Sequence, residues 1–147
     1  MLDSSWIKIG RPWPSLNELL NIHWRAKQQW RDYYRIQTRA EFQVRMARIP
    51  EPLDEYQAVV DFMRVGPVEL DPTDNLPGGL KPLLDALTAK RVVYMGKKPL
   101  RKDGYPERLW GLWADDKKRF LKSTVDQLTT KDEAHHGSFI KIRWEKL

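Results

Sequence analysis

Glu69–Leu87 reads ELDPTDNLPGGLKPLLDAL, and the rest of the chain is organised around it. Two aspartates, an amide, a Gly-Gly pair and a lysine stand ahead of a short apolar helical pattern. Leu83, Leu84, Ala86 and Leu87 supply that pattern. Asp74 or Asn75 could cap a helix with Pro77 just inside, but Gly78, Gly79 and Pro82 would then weaken its interior. The preferred start is near Lys81, with Pro82 in the first turn. That start leaves the Gly-Gly backbone open to close approach by a phosphate or a partner. Carboxylates beside a cation at the mouth of a helix suit magnesium and phosphate better than they suit a core.

Upstream, Tyr56–Val65 (YQAVVDFMRV) is rich in β-branched and aromatic residues and predicts a central strand closed by Gly66-Pro67. The acidic stretch is the loop that leaves this strand, a common place for sites in mixed α/β proteins. Farther upstream, Trp6–Ile9 predicts a short first strand ending at Gly10. Arg11-Pro12-Trp13-Pro14-Ser15 cannot be helical, because each proline drives its predecessor toward extended geometry. Ser15 or Asn17 is placed to cap the helical stretch after it. Leu16 to about Ile49 contains neither Gly nor Pro and predicts one long helix or two shorter ones, ended by Pro50 and Pro52. Arg31, Arg35 and Arg39 recur every four residues and share a helix face. That face is either solvated or a rail for phosphates. Tryptophans at helical spacing belong to a core more often than to a base-stacking surface.

Downstream, Val92–Met95 is strand-like. Gly96–Pro106 (GKKPLRKDGYP) is basic and turn-rich, with Lys97, Lys98, Arg101 and Lys102. Asp115-Asp116 comes after it. Phe120–Thr129 and Ser138–Trp144 predict two more strands. In the last, Phe139, Ile140, Ile142 and Trp144 are set against Lys141, Arg143 and Glu145. His135-His136-Gly137 is the turn between them. The expected architecture is one α/β (α+β) domain over 1–147: a small mixed sheet, a long N-terminal helix and a short helix after the acidic loop.

Composition narrows the function. The chain has 147 residues, 41% hydrophobic and 31% charged, which is enough for one core. A formal charge of +6 favours polyanionic partners such as nucleic acid. No cysteine occurs, which excludes disulfides, zinc-thiolate sites and a cysteine nucleophile. The start MLDSSWIKIG lacks a signal-peptide pattern, and no apolar run is long enough to span a membrane. A cytoplasmic location is expected. Adjacent His135 and His136 cannot easily chelate one ion, and no HExxH, GxSxG, Walker or GxGxxG pattern is present. Phosphodiester hydrolysis needs activated water and charge neutralisation at phosphorus, which carboxylate-held magnesium supplies. Asp71, Asp74 and Asp116 are candidate ligands, with Asp115 second to Asp116, and Lys81 could stabilise the developing charge. Taken singly, Asp74-Asn75 reads first as a helix cap and Asp115-Asp116 as a turn.

The ordered combination resembles the RusA family of Holliday junction resolvases, particularly phage-encoded relatives. The residues that carry the resemblance are Pro14-Ser15-Leu16-Asn17, Asp74-Asn75-Leu76, Gly78-Gly79, Lys81-Pro82-Leu83-Leu84-Asp85-Ala86-Leu87 and Gly111-Leu112-Trp113-Ala114-Asp115-Asp116. The resemblance implies a homodimeric, magnesium-dependent endonuclease of branched DNA, with manganese as a substitute metal and no organic cofactor. It places metal-binding carboxylates on Asp74, Asp116 and an acid just before Asp74, and the basic catalytic residue on Lys81. Three departures stand out. The family's Asp-x-Asp-Asn is replaced by Asp71-Pro72-Thr73-Asp74, with Glu69 the fallback acid. The gap from Asn75 to Lys81 matches the Gly-Gly variant. Lys90–Arg108 reads as a basic insertion that either grips a DNA arm or decorates the surface. Two other readings remain: a branched-DNA-binding protein without cleavage, and a basic protein–protein adaptor.

Overall fold

A computed structural model describes residues 2–89 and 110–147, and between them the backbone of 90–91, 94–95, 98–99 and 107–108 only. The strands are β1 (Ile7–Gly10), β2 (Tyr56–Gly66), β3 (Lys90–Arg91), β4 (Tyr94–Met95), β5 (Lys98–Pro99), β6 (Glu107–Arg108), β7 (Leu121–Thr129) and β8 (Gly137–Lys146). The helices are α1 (Leu16–Leu20), α2 (Trp24–Val44), α3 (Asn75–Gly78) and α4 (Lys81–Leu87). One four-stranded sheet, in the order β1-β8-β2-β7, carries the domain. β8 runs antiparallel to both β1 and β2, whereas β7 is parallel to β2. A parallel pair needs a crossover, and α3 and α4 lie on it. The small ladders β3–β6 and β4–β5 stand apart from this sheet.

Alternation decides which face is buried. Ala58, Val60 and Phe62 of β2 pair with Trp144, Ile142 and Ile140 of β8, and these positions face the helices. α2 and α4 cover that face, together with Trp13, Leu112 and Trp113. Each fully buried large apolar side chain contributes about 1.5–3 kcal/mol by leaving water. The indoles also need a partner for N–H, and all three in this layer find one. Trp13 donates to Leu76 O at 2.9 Å, Trp113 to Thr88 Oγ1 at 2.8 Å and Trp144 to Leu112 O at 2.8 Å.

The long helical stretch divides in two. Ser15 caps α1, accepting from the Glu18 amide at 3.1 Å. His23 caps α2 through Nδ1, which accepts from the Arg25 amide at 3.2 Å. α2 stops at Val44, short of the expected proline stop. Met46, with φ of 54°, turns the chain there, and Ala47 N–H bonds Phe42 O. Pro50 therefore lies beyond the end of the helix and does not cause it.

Candidate active site

The acidic loop is fixed from three sides. Gln127, on β7, clasps the Leu70 backbone: Leu70 N–H donates to Gln127 Oε1 at 2.9 Å, and Gln127 Nε2 donates to Leu70 O at 2.6 Å. Trp13 bonds Leu76 O, and the Asn17 amide donates to Asn75 Oδ1 at 3.1 Å. Behind these, Arg64 of β2 donates to Trp13 O at 2.7 Å while itself only 8% exposed. Burial lowers the pKa of that guanidinium. Sequence reasoning missed both Gln127 and Arg64. Arg64 left a signal, since it occupies the core-facing register of Ala58, Val60 and Phe62; Gln127 left none.

The Gly-Gly pair serves packing. A Cβ on Gly79 would sit 1.6 Å from Pro14 O, and one on Gly78 would meet the Leu16 side chain at 2.9 Å. The expectation of a backbone open to phosphate is corrected here: the chain's own Pro14–Leu16 segment fills that approach. α4 does start at Lys81 with Pro82 in its first turn, as the sequence pattern favours. The expected Asp74 cap is also modified, because its side chain makes no capping bond to α3.

Asp71 reaches the start of α3 instead, its Oδ2 accepting from the Asn75 amide at 3.4 Å. Its Oδ1 accepts from Thr73 Oγ1 at 2.6 Å and from the Thr73 amide at 3.0 Å. The hydroxyl bond first, then the amide, hold its pKa below the usual aspartate value. The side chains of Asp74 and Lys81 are exposed and make no hydrogen bond or ion pair with a described residue.

A second acidic group forms at the other end of α4. Ala89 N–H bonds Trp113 O and Leu112 N–H bonds Leu87 O, both at 2.8 Å, which clamps Gly111–Ala114 beside the end of the helix. Gly111 is required, since a Cβ would lie 2.5 Å from Ala89 N. Asp115 and Asp116 leave this clamp, and Asp85 of α4 lies within their electrostatic reach. The hydrogen bond between the two neighbouring carboxyls, then desolvation, then repulsion by Asp115 and Asp85 raise the pKa of Asp116. Arg31 Nη1 approaches Asp85 at 4.0 Å, and Arg31 Nε is buried without a hydrogen-bond partner.

The site residues are thus partly assembled. Asp85, Asp115 and Asp116 share one region, and Lys81 stands one turn before Asp85 on the same face of α4. Asp71 and Asp74 lie on the loop before α3. Among the described residues, no group of three or more acidic or histidine side chains is arranged to hold a metal ion. The donor chemistry is nevertheless that of a hard divalent cation, which takes carboxylate oxygens such as those of the adjacent Asp115 and Asp116. The histidines are occupied elsewhere. His23 caps α2, His135 pairs with Asp132 at 3.3 Å, and His136 Nε2 lies 2.7 Å from Thr130 O.

The arginine rail divides in the same way. Arg35 Nε donates to Ala86 O at 3.0 Å, and Arg31 turns toward Asp85, so both tie α2 to α4; Arg39 is exposed. Lys97, Arg101 and Lys102 lie outside the described residues, as does the side chain of Lys98. Among the described residues, no helix is long and apolar enough to cross a membrane. Compared with known proteins, the chain matches no family model, no curated protein and no solved structure.

Proposed function

We propose that the chain is a magnesium-dependent endodeoxyribonuclease that cuts four-way or otherwise branched DNA, as its resemblance to RusA-family resolvases implies. The observation that supports this reading is the clamp of Leu87–Ala89 against Leu112–Trp113, which brings Asp115 and Asp116 to the end of the helix that carries Lys81 and Asp85. Asp71, Asp74 and Asp116 are the residues that would hold the metal, with Asp115 second to Asp116, which requires the loop before α3 to meet the Asp115-Asp116 turn around the ion. Bound magnesium would neutralise phosphate charge and activate water. Lys81, without an ion-pair partner among the described residues, offers a cation on the same helix face for the leaving oxygen. Arg39 and the basic segment after α4 would bind backbone phosphates, so affinity should fall steeply with salt. A two-fold homodimer would match the symmetry of a junction and allow paired cuts.

Asp116→Asn is the direct test. It should abolish cleavage of a synthetic four-way junction and leave junction binding intact. Cleavage at the wild-type rate would remove Asp116 from the metal site. One observation favours a second reading, junction binding without cleavage: Asp71 is captured by Thr73 within its own loop. On that reading, no divalent metal supports cutting by the wild-type protein.

A further inference from the structure

A cleft of about 470 Å³ opens beside β1, between α2 and the turn before β8. Arg11 stands at its edge, and the fold fixes this residue from several directions. Its guanidinium lies 4.7 Å from the centre of the Trp30 ring and 4.5 Å from that of Tyr33. Its amide donates to Tyr33 Oη at 2.8 Å. Its carbonyl accepts from Tyr34 Oη at 2.8 Å and from Ser138 Oγ at 2.6 Å, and both donors are fully buried. Gly10, at φ +144°, ends an irregular register that begins at Lys8, and a Cβ there would meet Tyr33 Oη at 2.9 Å. Register breaks of this kind re-aim side chains at sheet edges.

Arg11 is exposed, and among the described residues neither it nor Lys8, which also lines the cleft, forms an ion pair with a carboxylate. The remaining wall is acidic: Glu133 lines it together with Glu41, whose Oε1 is held by Arg45 at 2.9 Å and whose second oxygen stays available, and Gln37 can accept or donate. His136 completes it, its Nε2 occupied by Thr130 O. A simple anion would find two cations but also two carboxylates. A molecule with an anion at one end and N–H donors at the other satisfies both walls. A nucleotide is such a molecule, and the volume falls within the small-molecule range of about 300–1,000 Å³. That is the size class of a single nucleotide rather than of a duplex, and arginine planes and aromatic rings are the usual partners of unstacked bases.

We infer that this cleft binds one nucleotide of an unpaired DNA strand, with its phosphate on Arg11 and Lys8 and the donor edge of its base toward Glu41 and Glu133. This rests on the reading of the chain as a branched-DNA enzyme, because unstacked nucleotides occur at branch points. The cleft and the acidic loop share one segment: two residues after Arg11, Trp13 is bonded to Leu76 at the start of the crossover.

The test uses fluorescence anisotropy of a short labelled oligodeoxyadenylate with the full-length protein in chelator, so that cleavage plays no part. dAMP should compete, and inorganic phosphate should compete far less well. Arg11→Met, which keeps an apolar stem on the rings, should weaken binding about tenfold or more, the scale of a lost charged hydrogen bond. Lys8→Gln, at an exposed position, should weaken binding and flatten its salt dependence even where Arg11→Met proves unstable. Wild-type affinity in both variants would overturn the inference. Phosphate competing as well as dAMP would also overturn it, leaving a plain anion site. If oligonucleotide binding depends on Arg11 while junctions stay uncut, the nuclease reading fails and the cleft stands. If junctions are cut and both variants bind normally, the cleft fails alone.

Discussion

Gly79→Ala separates a packing role for the Gly-Gly pair from a phosphate-binding one. Gly79 has φ −72° and ψ −16°, so alanine is conformationally allowed. On backbone grounds alone it would stabilise by about 0.4–1 kcal/mol, through the unfolded chain. Sterics oppose this. The new Cβ would stand 1.6 Å from Pro14 O and 2.8 Å from Pro14 C, both backbone atoms. Optimal carbon contacts lie at about 3.5–4.0 Å, so the two segments must part by well over 1 Å. Overpacking of this kind costs about 1–3 kcal/mol, and occasionally more. Parting the segments also strains the Trp13–Leu76 bond, worth about 1 kcal/mol. The net loss is about 1–3.5 kcal/mol, or ~2–14 °C of melting temperature for a chain of this length. Gly78→Ala is the control: its Cβ would stand 2.9 Å from Leu16 Cβ, a much smaller overlap than 1.6 Å onto a backbone oxygen, so it should cost clearly less than Gly79→Ala. Circular dichroism melts and urea titrations read both. A Gly79→Ala protein that melts with or above wild type, yet has lost DNA binding, would refute the packing argument and restore the phosphate one.

Gln127→Ala should release Leu70 and cost about 1–2 kcal/mol for two lost hydrogen bonds. Hydrogen exchange at the Leu70 amide should quicken more than exchange in the core of β2. Asp116→Asn should melt within about 2 °C of wild type at neutral pH, as surface changes do, or higher because a like-charge contact disappears. Magnesium should raise the melting temperature of wild type and not of this variant. The pH dependence has a definite sign. The raised Asp116 pKa means the folded protein holds this proton more tightly than the unfolded chain. This group therefore favours folding at low pH and loses that contribution as pH rises from 3.8 through its raised value. Magnesium needs the carboxylate, so the metal-induced shift should fade on acidification at a higher pH than an ordinary aspartate would give.

β2 was legible from its β-branched and aromatic content and β8 from its alternation, except that Phe139, expected with Ile140, pairs with Lys8 and Met63 on the opposite face. Ala58, Val60 and Phe62 against Ile140, Ile142 and Trp144 is the core that this pattern implies. The short helix was legible from its leucines and from the tolerance of a first turn for Pro82. Local devices were harder to read. The break before α2 depends on His23 acting as a cap, which is not a preferred capping residue. The end of α2 depends on Met46 accepting a positive φ, which sequence statistics disfavour. The acidic residues were identifiable as a set, but their grouping was not. Asp85 shares the region of Asp115 and Asp116 because the Leu87–Ala89 backbone pairs with Leu112–Trp113, a contact between segments distant in sequence. Asp71 is drawn into a local turn by Thr73, the residue that the altered spacing places beside it.

The central claim is metal-dependent cutting of branched DNA. An end-labelled synthetic four-way junction and a linear duplex of equal length, each incubated with magnesium and with chelator, test it most directly. Symmetric nicks in the junction alone, only with magnesium, are the expected result. An uncut junction under every divalent metal, or equal cutting of the linear duplex, would contradict it.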